Sequence, residues 1–233
     1  GTVSAIYYNP AGLASNFYNE LSFFYTPLFY GTKFTYIGYA YPLAQKETIA
    51  ASIGVLSTVD IEKTNSIGET LYDFSSQESV FNLAYSANMG GTTDGGINIK
   101  FLSQSIDDYS AHAFSCDLGL FSVKDDTKYG VVVKNVIPMK LGADKLPLSL
   151  RLGLTQRIYN KLFLSGDIAF EDILKKTVHK WFLGSEYNYK IYFLRAGINY
   201  KEIACGIGVS EEKFSLDYAV SFHTLDITHR FSV

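Results

Sequence analysis

From about Glu20 onward, apolar residues recur at every second position, in segments of roughly nine to thirteen residues divided by short turn-forming clusters. Leu148-Ser149-Leu150-Arg151-Leu152-Gly153-Leu154-Thr155 sets leucine on one face and small or polar residues on the other. Phe214 to Phe222 repeats the pattern, and so does Tyr192-Leu194-Ala196-Ile198-Tyr200 against Phe193-Arg195-Gly197-Asn199. Successive side chains of a strand point to opposite faces, so period two over such lengths specifies strands with one apolar face. The turns have suitable chemistry: Gly90 to Gly96, Lys124 to Thr127, Tyr159 to Lys161 and Glu211-Glu212. Cutting there predicts about fourteen strands, from roughly 20–27, through roughly 48–61 and 78–89, to roughly 225–233. No amphipathic helix is expected beyond a single turn at Ile173 to Lys176.

Hydrophobic residues make up 47% of the chain, yet no run approaches the roughly 18 residues of a membrane-spanning helix. The stretch Phe23 to Tyr30 is broken by Thr26 and Pro27. Tyr and Phe, at 18 and 17 copies, fit a pleated surface. A net charge of −3 lacks the basic face that nucleic acid requires, so no nucleic-acid partner is expected. Cys116 and Cys205 are too few for a disulfide scaffold and are expected as free thiols in strands. No CxxC or HExxH occurs, so no metal or cofactor is expected. Gly1 opens no signal peptide, which is no argument for a cytoplasmic location.

The interior of a soluble barrel must be filled with large side chains, and about eight strands already suffice for that. A ring of about fourteen is too wide, so the large apolar residues must look outward to lipid and the polar ones inward. The charged members of the polar face are Lys100, Asp117, Lys134, Arg151, Asp167, Glu186, Arg195, Asp217 and Arg230. Their signs alternate between neighbouring strands, which predicts compensation across a poorly hydrated lumen: Lys100 with Asp117, Asp117 with Lys134, Arg151 with Asp167, Glu186 with Arg195, and Asp217 with Arg230. A structural role for this network is favoured over one in guiding a solute. An even strand count places both termini on the periplasmic side. Glu62 to Gln77, expected as the longest loop, and Pro138 to Leu146 would then be extracellular. Tyr7, Tyr8, Phe17, Tyr18, Phe23, Phe24, Tyr25, Tyr187, Tyr189, Tyr192 and Tyr200 are expected as an interfacial aromatic girdle.

Ser4-Ala5-Ile6-Tyr7-Tyr8-Asn9-Pro10-Ala11-Gly12-Leu13-Ala14 resembles a signature of FadL-like outer-membrane proteins, closest to the PorV/PorQ branch. Tyr39 to Leu43, Ile97 to Lys100, Cys116 to Leu120, Val133 to Val136, Leu146 to Gly153, Leu194 to Gly197, Leu216 to Ala219 and Thr228 to Val233 extend the likeness in order. The resemblance implies an all-β, 14-stranded transmembrane antiparallel barrel over 20–233. Residues 1–19 would be a hatch folded into the lumen, built on Asn9, Pro10 and Ala11. The Gly- and Ala-rich stretch that usually precedes the motif is missing, and the loops are shorter than in transporters of the family.

The implied function is a channel in the bacterial outer membrane for small hydrophobic or amphipathic solutes. The alternative is a PorV-like structural or secretion barrel that binds another envelope or surface protein. An outer-membrane hydrolase is disfavoured. His112, His179, His223 and His229 stand at no spacing that suggests a triad, so no catalytic residue is assigned.

Overall fold

The computed structural model describes residues 2–223 and 226–233; Gly1 and the start of the last predicted strand, at Leu225, lie outside them. Fourteen strands form one closed antiparallel barrel. They are β1 (Glu20–Pro27), β2 (Thr32–Ala44), β3 (Glu47–Thr64), β4 (Thr70–Gly90), β5 (Thr93–Ile106), β6 (Tyr109–Lys124), β7 (Thr127–Lys134), β10 (Ser149–Tyr159), β11 (Leu162–Glu171), β12 (Val178–Tyr189), β13 (Tyr192–Asn199), β14 (Glu202–Ser210), β15 (Ser215–His223) and β16 (Ile227–Ser232). A two-stranded hairpin of β8 (Lys140–Leu141) and β9 (Asp144–Lys145) stands in the long connection between β7 and β10. The ring closes where Phe24 and Tyr25 of β1 pair with Ser232 and Phe231 of β16, and Phe23 and Val233 exchange backbone hydrogen bonds of 2.9 Å.

The alternation reads inside-out, as the ring size requires. On β6, Phe114 and Leu120 are 56% and 48% exposed, whereas the intervening Ser115 and Asp117 are 1% and 3% exposed. The outward faces of the other strands carry Ile97, Ile99, Leu152, Leu154, Leu183 and Leu194, all exposed. Such a collar is far larger than the apolar patches of water-facing surfaces. Cys116 and Cys205 are free.

Connections differ between the two ends. The end that holds the start of β1 and the finish of β16 (the near rim) closes mostly with two-residue turns, as between Ala44 and Glu47, Gly90 and Thr93, Tyr159 and Leu162, and Tyr189 and Tyr192. Lys46, Asp125 and Lys190 there have φ of 59°, 54° and 55°, the left-handed conformation that tight hairpins need. The far rim holds the longer connections, including the β7–β10 crossing.

The structure corrects the expected loop at Glu62 to Gln77. β3 and β4 run on as a hairpin beyond the ring, pairing Ile61 with Phe74 and Lys63 with Tyr72, and only five residues connect them. From near its tip Lys63 reaches Asp107 of the neighbouring turn, a contact that holds the Asp107 carboxyl below its usual range. Ile173 to Lys176 forms turns and bends, not a helical turn.

Orientation of the apolar face predicts a sharp asymmetry. Leu183→Arg, midway along β12 and outward, should destabilise the barrel in phospholipid vesicles by about 2–4 kcal/mol in reversible urea unfolding. Thr155→Arg, facing inward, should cost much less.

Candidate functional site in the barrel interior

Residues 3–16 pack against the inward faces of the early strands. A four-residue helix, α1 (Ala5–Tyr8), leads through Asn9 into a 3-10 helix over Pro10–Ser15. Asn9 is the joint. Its extended backbone breaks the first helix, its Oδ1 accepts from Ala11 N at 3.1 Å, and Pro10 occupies a first-turn position where its missing N–H costs nothing. The Asn9 amide nitrogen donates to two wall carbonyls, Leu120 O at 2.9 Å and Val131 O at 3.2 Å.

Further along, the Ser86 hydroxyl accepts from Ala14 N at 3.1 Å and lies 3.0 Å from Ala11 O. Val3, Ile6 and Leu13 are fully buried against Tyr36, Ala40, Ala50 and Ala84, with Phe24 and Phe34 at the edge. This cluster is the main apolar core. Under Asn9 to Ala11 the wall is made of glycine: a Cβ at Gly96 would overlap the backbone of Pro10 and Ala11, and one at Gly119 would overlap the Asn9 side chain. Asn9, Pro10 and Ala11 are thus brought together on the β5–β7 wall. Gly96, expected in the Gly90 to Gly96 turn, stands inside β5, and both it and Gly119 occupy inward positions of their strands, a role the sequence reading does not assign them.

The charged residues also face inward, but their pairing departs in part from expectation. Lys100 meets Asp117 at 2.6 Å, Arg151 meets Asp167 at 2.7 Å, and Arg195 meets Glu186 at 2.7 Å, all as the alternation predicts. Lys134 does not pair with Asp117. The Asp117 carboxylate is occupied by Lys100 and by the Asn135 N–H at 2.9 Å, and Lys134 donates instead to Tyr7 O at 2.7 Å while lying over the Tyr7 ring. Nor does Asp217 take Arg230. Arg195 reaches past β14 to Asp217, and Arg230 turns to Glu202 at 3.0 Å. Gly208 permits this reach, since a Cβ there would run into Asp217 and the Arg195 guanidinium. A further pair, Lys180 with Glu171, was not anticipated.

Between the packed segment and the ion-paired wall lies a cavity of about 320 Å³, bounded by Tyr8, Asn9, Phe121, Lys128, Arg151 and Asp167. Gly130 and Gly153, opposite each other on β7 and β10, also line it, so the wall recedes there. Arg151 stacks on Phe182 at 4.5 Å and approaches Tyr8 at 5.9 Å, and Lys128 lies over Phe163 at 5.7 Å. The space is therefore aromatic with two cations and one carboxylate at its edge.

The expected girdle is corrected at four places. Tyr7 and Tyr8 lie inside the ring, Phe24 packs on the apolar core, and Tyr200 leans onto Phe182 and the Lys180 ammonium. Three histidines belong with the outward aromatics: His112 stacks on Phe101 and His229 on Tyr218, whereas His179 meets Phe170 edge to face. His223 lies against Phe29 at the far rim.

Solved structures share this architecture. The Pseudomonas putida toluene transporter TodX superposes with a TM-score of 0.77 at 13% identity, covering 99% of this chain and 91% of that one. The fold is FadL-like. A TodX deletion mutant described as a monoaromatic hydrocarbon channel gives 0.76 at 14% identity over 98% and 92% of the two chains. A Pseudomonas aeruginosa FadL homologue gives 0.65 at 11% over 99% and 92%. No family model matches the chain, and no curated protein matches it in sequence.

Two substitutions test the seat of the N-terminal residues in this FadL-like barrel. Gly96→Val should drive residues 2–16 off the wall, seen as protease cleavage within them while the barrel stays folded. Asn9→Ala removes both wall bonds and should weaken the seat by about 1–3 kcal/mol, read as faster amide exchange at Gly12 and Asn16.

Proposed function

We propose that this chain is a channel of the bacterial outer membrane that passes small hydrophobic or amphipathic solutes, with residues 1–19 acting as its hatch. The observation that carries the reading is the cavity beside Tyr8 and Asn9, inside a ring whose outer face is apolar. A closed barrel satisfies every strand's backbone within its own ladder, the condition for standing in hydrocarbon. Neighbours of the same fold are described as toluene and monoaromatic hydrocarbon channels, which supports this solute class.

In this reading Tyr8 and Phe121 offer ring faces to an apolar solute. Arg151 and Lys128 can take a polar or anionic end. Asn9 anchors the hatch at the side of the passage, and Lys100, Asp117, Glu186, Arg195, Asp217 and Arg230 hold the wall in shape through mutual compensation. No step of this reading calls for bond-making chemistry.

A second reading, a barrel that holds another envelope or surface protein, draws on the β3–β4 hairpin. It stands beyond the ring with Ile67 and Leu71 76% and 55% exposed. Cross-linking from Ile67→Cys in intact cells that captures one defined protein would favour it.

Transport is best tested in cells with a lipopolysaccharide outer leaflet, because toluene crosses plain phospholipid unaided. Cells carrying the barrel should take up labelled toluene faster than cells without it. Gly153→Phe, which fills the cavity, should remove the difference. Equal uptake with and without the barrel, at matched levels of folded protein, would overturn the proposal.

A further inference from the structure

On the outward side of the near rim, away from the lumen, an open cleft of about 590 Å³ is lined by Ile158, Tyr159, Asn160, Lys161, Leu162 and Tyr187. Lys161 lines it, and Lys190 of the adjacent turn approaches the same neighbouring ring. Lys161, in the β10–β11 turn, lies 5.1 Å from the centre of the Tyr189 ring, and Lys190, in the β12–β13 turn, lies 5.7 Å from the same ring. Asn188 N donates to Lys161 O at 2.7 Å, which locks the first turn against the end of β12. Among the described residues, no carboxylate pairs with either lysine.

We propose that this cleft binds one phospholipid of the surrounding leaflet, its phosphate held between Lys161 and Lys190 and an acyl chain laid along Ile158, Leu162 and Tyr187. The inference rests on the outer-membrane reading given above. Two like charges drawn to one ring repel each other, and an anion set between them relieves that repulsion while keeping both ring contacts. The order of residues along the barrel axis matches a lipid's own order. The cations sit in the turns at headgroup level beside Tyr189; Tyr159 and Tyr187 come next, level with their pairing partner Leu162, and Ile158 lies one step further toward the hydrocarbon.

The inward Arg157 of the same region is already neutralised by Asp126. An apolar floor under a paired cation site suits a lipid phosphate, because free phosphate would leave Ile158 and Leu162 uncovered.

Native mass spectrometry of the full chain, released from detergent after titration with dioleoylphosphatidylglycerol or with diolein, tests the site. The wild type should retain the phosphatidylglycerol well above diolein. Lys161→Ala with Lys190→Ala should lower that retention by roughly fivefold or more, from about 1 kcal/mol per lysine facing an anionic lipid. Lys46→Ala with Lys124→Ala, at other near-rim turns, should leave it unchanged. Equal retention by the wild type and the Lys161/Lys190 variant overturns the site, as does loss of the lipid to an equal concentration of inorganic phosphate. Insertion of the wild type into phosphatidylglycerol–phosphatidylethanolamine vesicles, followed by heat-modifiable gel mobility, is read in parallel. Failure to insert defeats the membrane reading and the site together, whereas insertion with lysine-independent retention defeats the site alone.

Discussion

Everything in this barrel depends on the seam between its first and last strands. Phe23 and Val233 trade backbone hydrogen bonds there, and Phe24 and Tyr25 pair with Ser232 and Phe231. Once that seam is made, each strand of the ring has a neighbour on both sides, and the ring has no open edge strand. An outer surface of leucine, isoleucine, phenylalanine and tyrosine then becomes tolerable, because the only groups it shows to hydrocarbon are apolar side chains. An unclosed sheet of the same composition would expose a row of free N–H and C=O groups in the place where they are most costly.

The interior follows from the same closure and is divided in two. Along β2–β7 the inward positions are small (Ala40, Ala50, Ala84, Gly96, Ala113, Ser115, Gly119), and residues 3–16 fill the space they leave. Along β10–β16 several inward positions are long and charged, and they brace one another in pairs from Arg151 on β10 to Arg230 on β16. One half is packed like a protein core; the other is held by electrostatics in a confined, partly wet space. The cavity lies at the boundary between them.

Strands, closure and orientation were legible in the sequence because each rests on period two, which Leu150, Leu152 and Leu154 display without interruption. The β3–β4 hairpin beyond the ring was not. Above the hydrocarbon layer both faces of a strand meet water, so Glu62, Lys63, Glu69 and Asp73 carry no alternation to read. Pairing of charges was legible only where the partners stand on adjacent strands, directly opposite or one step off in register. Arg195 with Glu186 is such a case, being opposite in register. Arg195 with Asp217 is not, since it depends on the side chain missing at Gly208, one strand away. Tyr7 and Tyr8 were misplaced because a tyrosine at a lipid interface and a tyrosine over a lysine look alike in one dimension.

The glycines and alanines under the N-terminal segment carry a consequence for how wide this barrel can be. A wall lined with large side chains sets its own bore. Here the wall on one side is already hollowed out, and the bore is set by a short stretch of chain bonded to it through Asn9, Ser86 and Lys134. Calibre is thus written into a segment outside the strands, and changes in residues 2–16 would alter the bore without altering a single strand.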